Sequence, residues 1–91
     1  MKEVHEPIIT IVMMCLQPFE EVVLEETIIK VDQDDQGIVI FLTITLLSCE
    51  NIVALCERLQ QYIIEEIFTM TELIVRAVHI KVRRLVYAKN A

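Results

Sequence analysis

Glycine occurs once in these 91 residues, at Gly37, and proline only at Pro7 and Pro18. That scarcity excludes the composition of a disordered chain. A single glycine also cannot build a phosphate-cradling loop. Tryptophan is missing and aromatic residues make up 5% of the chain. No aromatic platform on an exposed strand is therefore expected, which argues against recognition of single-stranded nucleic acid. Cys15, Cys49 and Cys56 are odd in number and lack metal-type spacing. They argue against a secreted disulfide framework and for reduced thiols in a cytoplasmic protein. No segment resembles a signal peptide, since Lys2 is followed by Glu3 and Glu6. The apolar run from Ile8 to Leu16 is nine residues, too short to cross a bilayer as a helix. No direct membrane insertion is expected.

What is abundant is apolar: 55% of the residues are hydrophobic. One modest core is the expectation for a single domain over 1–91. So apolar a small domain should leave an apolar surface for a partner or for self-association. The charge is divided along the chain. All fourteen acidic residues lie at or before Glu72, whereas Arg76, Lys81, Arg83, Arg84 and Lys89 follow it. The net charge of −6 makes general affinity for a phosphate backbone unfavourable. The basic end would suit an acidic surface, with pairing to the protein's own carboxylates as the plainer account.

An apolar N-terminal segment over 1–21 opens the chain. Its residues 7–17 read two ways: Ile8, Ile9, Thr10, Ile11 and Val12 pull towards strand. Pro7 and Pro18 mark the two ends of a short buried helix, and Met13, Met14 and Leu16 favour it. A β-hairpin is expected over 22–47. Its first strand is Val22 to Val31, its break Asp32-Gln33-Asp34-Asp35-Gln36-Gly37, and its second strand Ile38 to Leu47. In the second strand the even positions are uniformly apolar, while the odd ones pass from Val39 and Phe41 to Thr43 and Thr45, so one face is only partly covered.

A helix over 50–71 follows, capped by Ser48 or Asn51. Ile52, Leu55, Cys56, Leu59, Ile63, Ile67 and Met70 share one face. Val53, Ile64 and Phe68 widen the apolar arc beyond what one sheet needs, pointing to a second packing partner. The strand over 74–87 alternates, with Val78, Ile80 and Val82 towards the helix and His79, Lys81 and Arg83 towards water. A right-handed crossover lays it parallel to the preceding strand, leaving open beside which hairpin strand it sits. At an edge, Arg76, Lys81 and Arg83 would protect against edge pairing. The architecture expected is a small two-layer α+β domain in the order α-β-β-α-β, with helices on one face of a three-stranded mixed sheet.

Little in the chain suggests catalysis or a cofactor. His5 and His79 are far apart, and His79 reads as surface decoration. Cys56 reads as core. A lowered pKa at Cys49 from the helix dipole is opposed by Glu50 and Glu57. Asp32, Asp34 and Asp35 lack the Glu and the flanking helices of a calcium loop and read as a solvated turn. No catalytic, cofactor or metal residue is assigned. The candidate interaction surface is Val53, Ile64, Phe68, Lys81, Arg83 and Arg84.

From Asn51 to Leu85 the chain resembles the conserved C-terminal core of the alkaline-shock-protein (Gls-type general stress protein) family. The matching residues are Asn51-Ile52, Leu55, Leu59-Gln60, Ile63 and Ile67, then Met70-Thr71 and Leu73, then Val75, Val78, Ile80, Val82 and Leu85. Glu72 stands where the family's Met-Thr-Gly-Leu turn has Gly, His79 where it has Asn and Arg84 where it has a late Gly. A Glu there would have to adopt a left-handed conformation at a cost of roughly 1 kcal/mol, or the helix would end differently. Residues 1–21 match poorly. The resemblance implies a non-catalytic, self-associating cytoplasmic scaffold of bacterial envelope stress: a homo-oligomer held near the membrane by an integral protein. The alternatives are a small nucleic-acid-binding module, which the charge and composition oppose, and a diverged or artificial domain with no evolved activity.

Overall fold

A computed structural model of the chain describes residues 5–47 and 50–86. Five main elements follow in order: helix α1 (His5–Leu16), strand β1 (Ile28–Asp34), strand β2 (Gly37–Leu47), helix α2 (Ile52–Thr71) and strand β3 (Val75–Val86). Strand order is β1-β2-β3, with β1 antiparallel and β3 parallel to β2. Both helices pack on one face of this mixed sheet, the α+β arrangement expected. Of residues 7–17, all but Gln17, which begins a turn, are helix. Ile8, Ile11, Val12, Cys15 and Leu16 are its buried stripe, a helical spacing that no strand could bury on one side.

β2 is the centre of the core because it is covered by neighbours on both edges. Ile38, Ile40, Leu42, Ile44 and Leu46 are all buried beneath the helices, where they meet Leu55, Leu59, Ile63 and Ile67 of α2. Asn51 is the N-cap of α2: its Oδ1 accepts from the Ala54 amide at 3.0 Å. Ser48, the alternative cap, and Cys49 lie outside the described residues. Met70 was expected on the buried face but is exposed, and Cys56 is half-buried rather than core. Both fall within the arc of Leu55, Leu59, Ile63 and Ile67, but Cys56 stands near the start of α2 and Met70 in its last turn, at the two ends of that stripe.

The hairpin differs from expectation at two points. Its first strand begins at Ile28, because a short 3-10 turn at Leu24–Glu26 interrupts the extended run. Val22 still bridges to Leu46, and the Val23 amide donates to the Thr45 carbonyl at 2.9 Å. The break is also tighter than the span 32–37: Asp34 pairs with Gly37 across Asp35 and Gln36 alone. Asp34 Oδ1 accepts the Gln36 amide at 2.9 Å and so closes the turn itself. Gly37 is obligatory. Its φ is 138°, and a Cβ there would lie 2.6 Å from the Ile74 carbonyl oxygen, which accepts the Ile38 amide.

α2 ends in the left-handed conformation at Glu72 (φ 63°, ψ 12°), whose amide donates to the Phe68 carbonyl at 2.8 Å. Glu72 therefore adopts the left-handed turn without a glycine and carries the strain itself. Thr71 holds this turn from within. Its hydroxyl donates to the Ile67 carbonyl at 2.7 Å and accepts the Leu73 amide at 3.1 Å. The residue type at 71 is thus accounted for by two bonds. Gln60 serves the next strand: its Nε2 donates to the Val78 carbonyl at 2.9 Å, tying the helix to an edge strand.

β3 is one residue longer than its partner at two places. The pairing jumps from Ile38↔Val75 to Val39↔Ala77 and from Ile44↔Val82 to Thr45↔Arg84, leaving Arg76 and Arg83 out of register. The simple alternation therefore breaks at Arg83. The extra residue brings Leu85 back to the helix side and Arg84 to the outer face. Ile80 and Val82 point inward but are only half-buried, as befits the sheet's edge.

Candidate interaction surfaces

Among the described residues no group of three or more His, Cys, Asp or Glu side chains converges on a metal-sized site. Of the hairpin aspartates, Asp34 is committed elsewhere. Arg76 donates through Nε to Asp34 Oδ2 at 3.0 Å, and this guanidinium, with the Gln36 amide, holds the Asp34 carboxyl below its ordinary range. Cys15 is 3% exposed beside a cleft of about 100 Å³ lined by Ile11, Met14, Tyr62, Glu66 and Met70. Burial first, and the Glu66 charge second, push its thiol up to about 11. Such a thiol is a poor nucleophile near neutrality.

Nor do the six candidate residues form one patch. Val53 and Phe68 are 68% and 51% exposed on α2, while Ile64 is partly buried against the core. Lys81 is exposed on β3. Arg83 and Arg84 both bind Glu26, at 3.3 and 2.9 Å, so they clamp β3 to the 3-10 turn rather than standing free for a partner. The Thr45 hydroxyl and the Arg84 guanidinium are the chief influences lowering the Glu26 carboxyl. The arginine is the better-founded cause, since the buried Thr45 Oγ1 completes no hydrogen bond of normal geometry among the described residues.

The surface that sequence reasoning missed is the face of the sheet turned away from the helices. The register places Lys30, Phe41 and His79 in one row across the three strands, and Ile28, Thr43 and Lys81 in the next. The rings of Phe41 and His79 stack, with centroids 5.2 Å apart and planes 19° from parallel. Phe41 is 43% and Ile28 49% exposed, and Leu47 adds apolar surface at one end of the face. An aromatic pair thus stands on the exposed face, contrary to the expectation of none, and His79 is part of it rather than isolated decoration. Its signal in the sequence was the apolar start of the odd positions in β2. The pairing with residue 79, 38 positions further on, depends on the register that the crossover sets.

Charge separates with the layers. Glu6, Glu57, Glu65 and Glu66 against Arg58 leave the helices at −3, while Lys30, Arg76, Lys81, Arg83 and Arg84 against Asp32 and Asp34 leave the strands at +3. Arg58 is occupied over the Phe19 ring, at 5.4 Å, and Phe19 in turn meets Tyr62. No helix among the described residues is long and apolar enough to cross a membrane. The chain matches no family model, no curated protein and no solved structure.

Proposed function

We propose that this chain is a non-catalytic, self-associating scaffold that works by protein–protein contact. The observation that carries the reading is the amount of large apolar surface left outside. Met14, Ile28, Phe41, Leu47, Val53, Phe68, Met70 and Ile74 are all exposed on a domain whose core is already complete. Where such side chains gather, as Ile28 and Phe41 do in adjacent rows of the open sheet face, the surface suits contact with another chain. The resemblance of Asn51–Leu85 to the alkaline-shock-protein family extends the reading to a cytoplasmic stress protein of the bacterial envelope, held near the membrane by an integral partner. The Met-Thr-x-Leu turn supports that resemblance, because Thr71 and the left-handed residue 72 build the same kind of helix end that the family's glycine would.

Two measurements test this. Sedimentation at micromolar concentrations should give a mass above that of the 10.6 kDa protomer; a strictly monomeric chain would remove the self-association. A tagged chain recovered separately from membrane and soluble fractions should bring down an integral membrane protein with it. Recovery only with soluble ribosomes and RNA would replace the envelope role.

A further inference from the structure

We infer that the open face of the sheet is the docking site for the outward side of α2 of a second copy, so that copies add head to tail. This rests on the chain being self-associating and specifies which surfaces meet. On α2, Glu57, Gln61, Glu65 and Phe68 fall on the side opposite the buried stripe of Leu55, Leu59, Ile63 and Ile67, and all four are exposed. Gln61 Nε2 donates to Glu65 Oε2 at 3.0 Å, fixing that carboxylate in place. On the sheet, Phe41 is flanked by Lys30 and, one row on, Lys81. Neither lysine forms an ion pair among the described residues, and neither do Glu57 and Glu65. The sheet therefore presents an exposed aromatic ring between two unspent positive charges, and the helix two unspent carboxylates with its exposed ring about one turn beyond Glu65.

The spacings agree as well. Eight residues of helix separate the two carboxylates by about 12 Å. Two strand spacings across and two residues along separate the two ammonium groups by about 12 Å. Like surfaces would oppose like charges: two sheet faces would bring lysines together, and two α2 flanks would bring glutamates together. A sheet-to-helix contact pairs them. Because its two sides differ, the contact is not closed by a two-fold axis and leaves a free sheet and a free helix at the ends of any assembly. Three strands of this length offer roughly 500 Å² of projected face, below the roughly 800 Å² per partner of a stable complex. Association should be concentration-dependent and should weaken in salt.

The test uses two variants of the full chain, each disabling one side by neutral substitution at exposed positions: Phe41→Ser with Lys81→Ser on the sheet, and Phe68→Ser with Glu65→Gln on the helix. Both should keep the natural circular dichroism spectrum. Each alone should sediment as a protomer at concentrations where the natural chain associates, and the equimolar mixture should form a 1:1 dimer that grows no further. If either variant alone associates like the natural chain, or if the mixture stays protomeric while the natural chain does not, this docking is wrong although self-association stands. If the natural chain is itself monomeric, both fall. Binding of a fluorescent single-stranded RNA by the natural chain, lost in the sheet variant, would assign the face to nucleic acid and overturn the inference.

Discussion

Replacing Glu72 by glycine should stabilise this protein. Glu72 is the sole non-glycine residue with positive φ among those described, at 63°. An L-residue in that conformation costs about 1–2 kcal/mol, which glycine avoids. Against this, glycine loses more backbone freedom on folding, by about 0.4–1 kcal/mol. The exposed side chain of Glu72 makes no hydrogen bond or ion pair among the described residues, so no contact is lost with it. Its negative charge also sits at a helix C-terminus, where removing it should gain about 0.3 kcal/mol or more. The net expectation is about 1 kcal/mol, or roughly 4–8 °C in Tm for a domain of this size. Urea denaturation followed at 222 nm gives the number, with an unchanged slope showing that only stability has moved. Glu72→Ala is the control, since it removes the charge but keeps a Cβ in the left-handed region. If glycine is no more stable than alanine, residue 72 is not left-handed in solution and the Thr71 bridge does not hold the turn as described.

Three further outcomes are expected. Gly37→Ala should destabilise by about 2 kcal/mol or more, because it adds left-handed strain to a collision with the Ile74 carbonyl oxygen; a change below about 0.5 kcal/mol would contradict the hairpin geometry. Asn51→Ala should cost about 1 kcal/mol through loss of the α2 cap, and Asn51→Asp should retain most of it, both measured as urea midpoints. Stability should also fall at both ends of the pH range. The Glu26 and Asp34 carboxyls titrate lower in the folded chain than their ordinary 4.5 and 3.8, so the stability they contribute is present above those values and lost as pH falls through the folded ones. The Cys15 thiol is raised from 9.0 to about 11, so its contribution is full below pH 9 and is lost between there and 11, as the unfolded chain ionises first. A Cys15→Ala variant with the same alkaline profile would dispose of that contribution.

Much of the fold was legible because its signals are local. Gly37 beside the aspartates, the apolar even positions of β2 and the three- and four-residue steps from Leu55 to Ile67 each specify an element without reference to distant residues. Local signals also misled. Val22 and Val23 look extended and are, yet the turn at Leu24–Glu26 parts them from β1, and nothing in Leu-Glu-Glu marks a 3-10 turn. The partnership of Arg83 and Arg84 with Glu26 spans 57 and 58 positions, so their charges read as surface when they are structural. The Phe41–His79 pair was out of reach for the same reason: which side chains share a row depends on crossover register, which the extra residue at Arg76 shifts by one.

The two out-of-register arginines also determine where this chain can change length. Deleting Arg76 or Arg83 would leave a straight ladder with Ala77 still opposite Val39 or Arg84 still opposite Thr45, and every inward residue still inward. A deletion in the middle of the stretch, from His79 to Lys81, would turn over the residues between the gap and whichever arginine absorbs it, bringing Val78 or Val82 to the outer face. Relatives of this protein that differ by single-residue gaps in the last strand should carry those gaps at these two arginines.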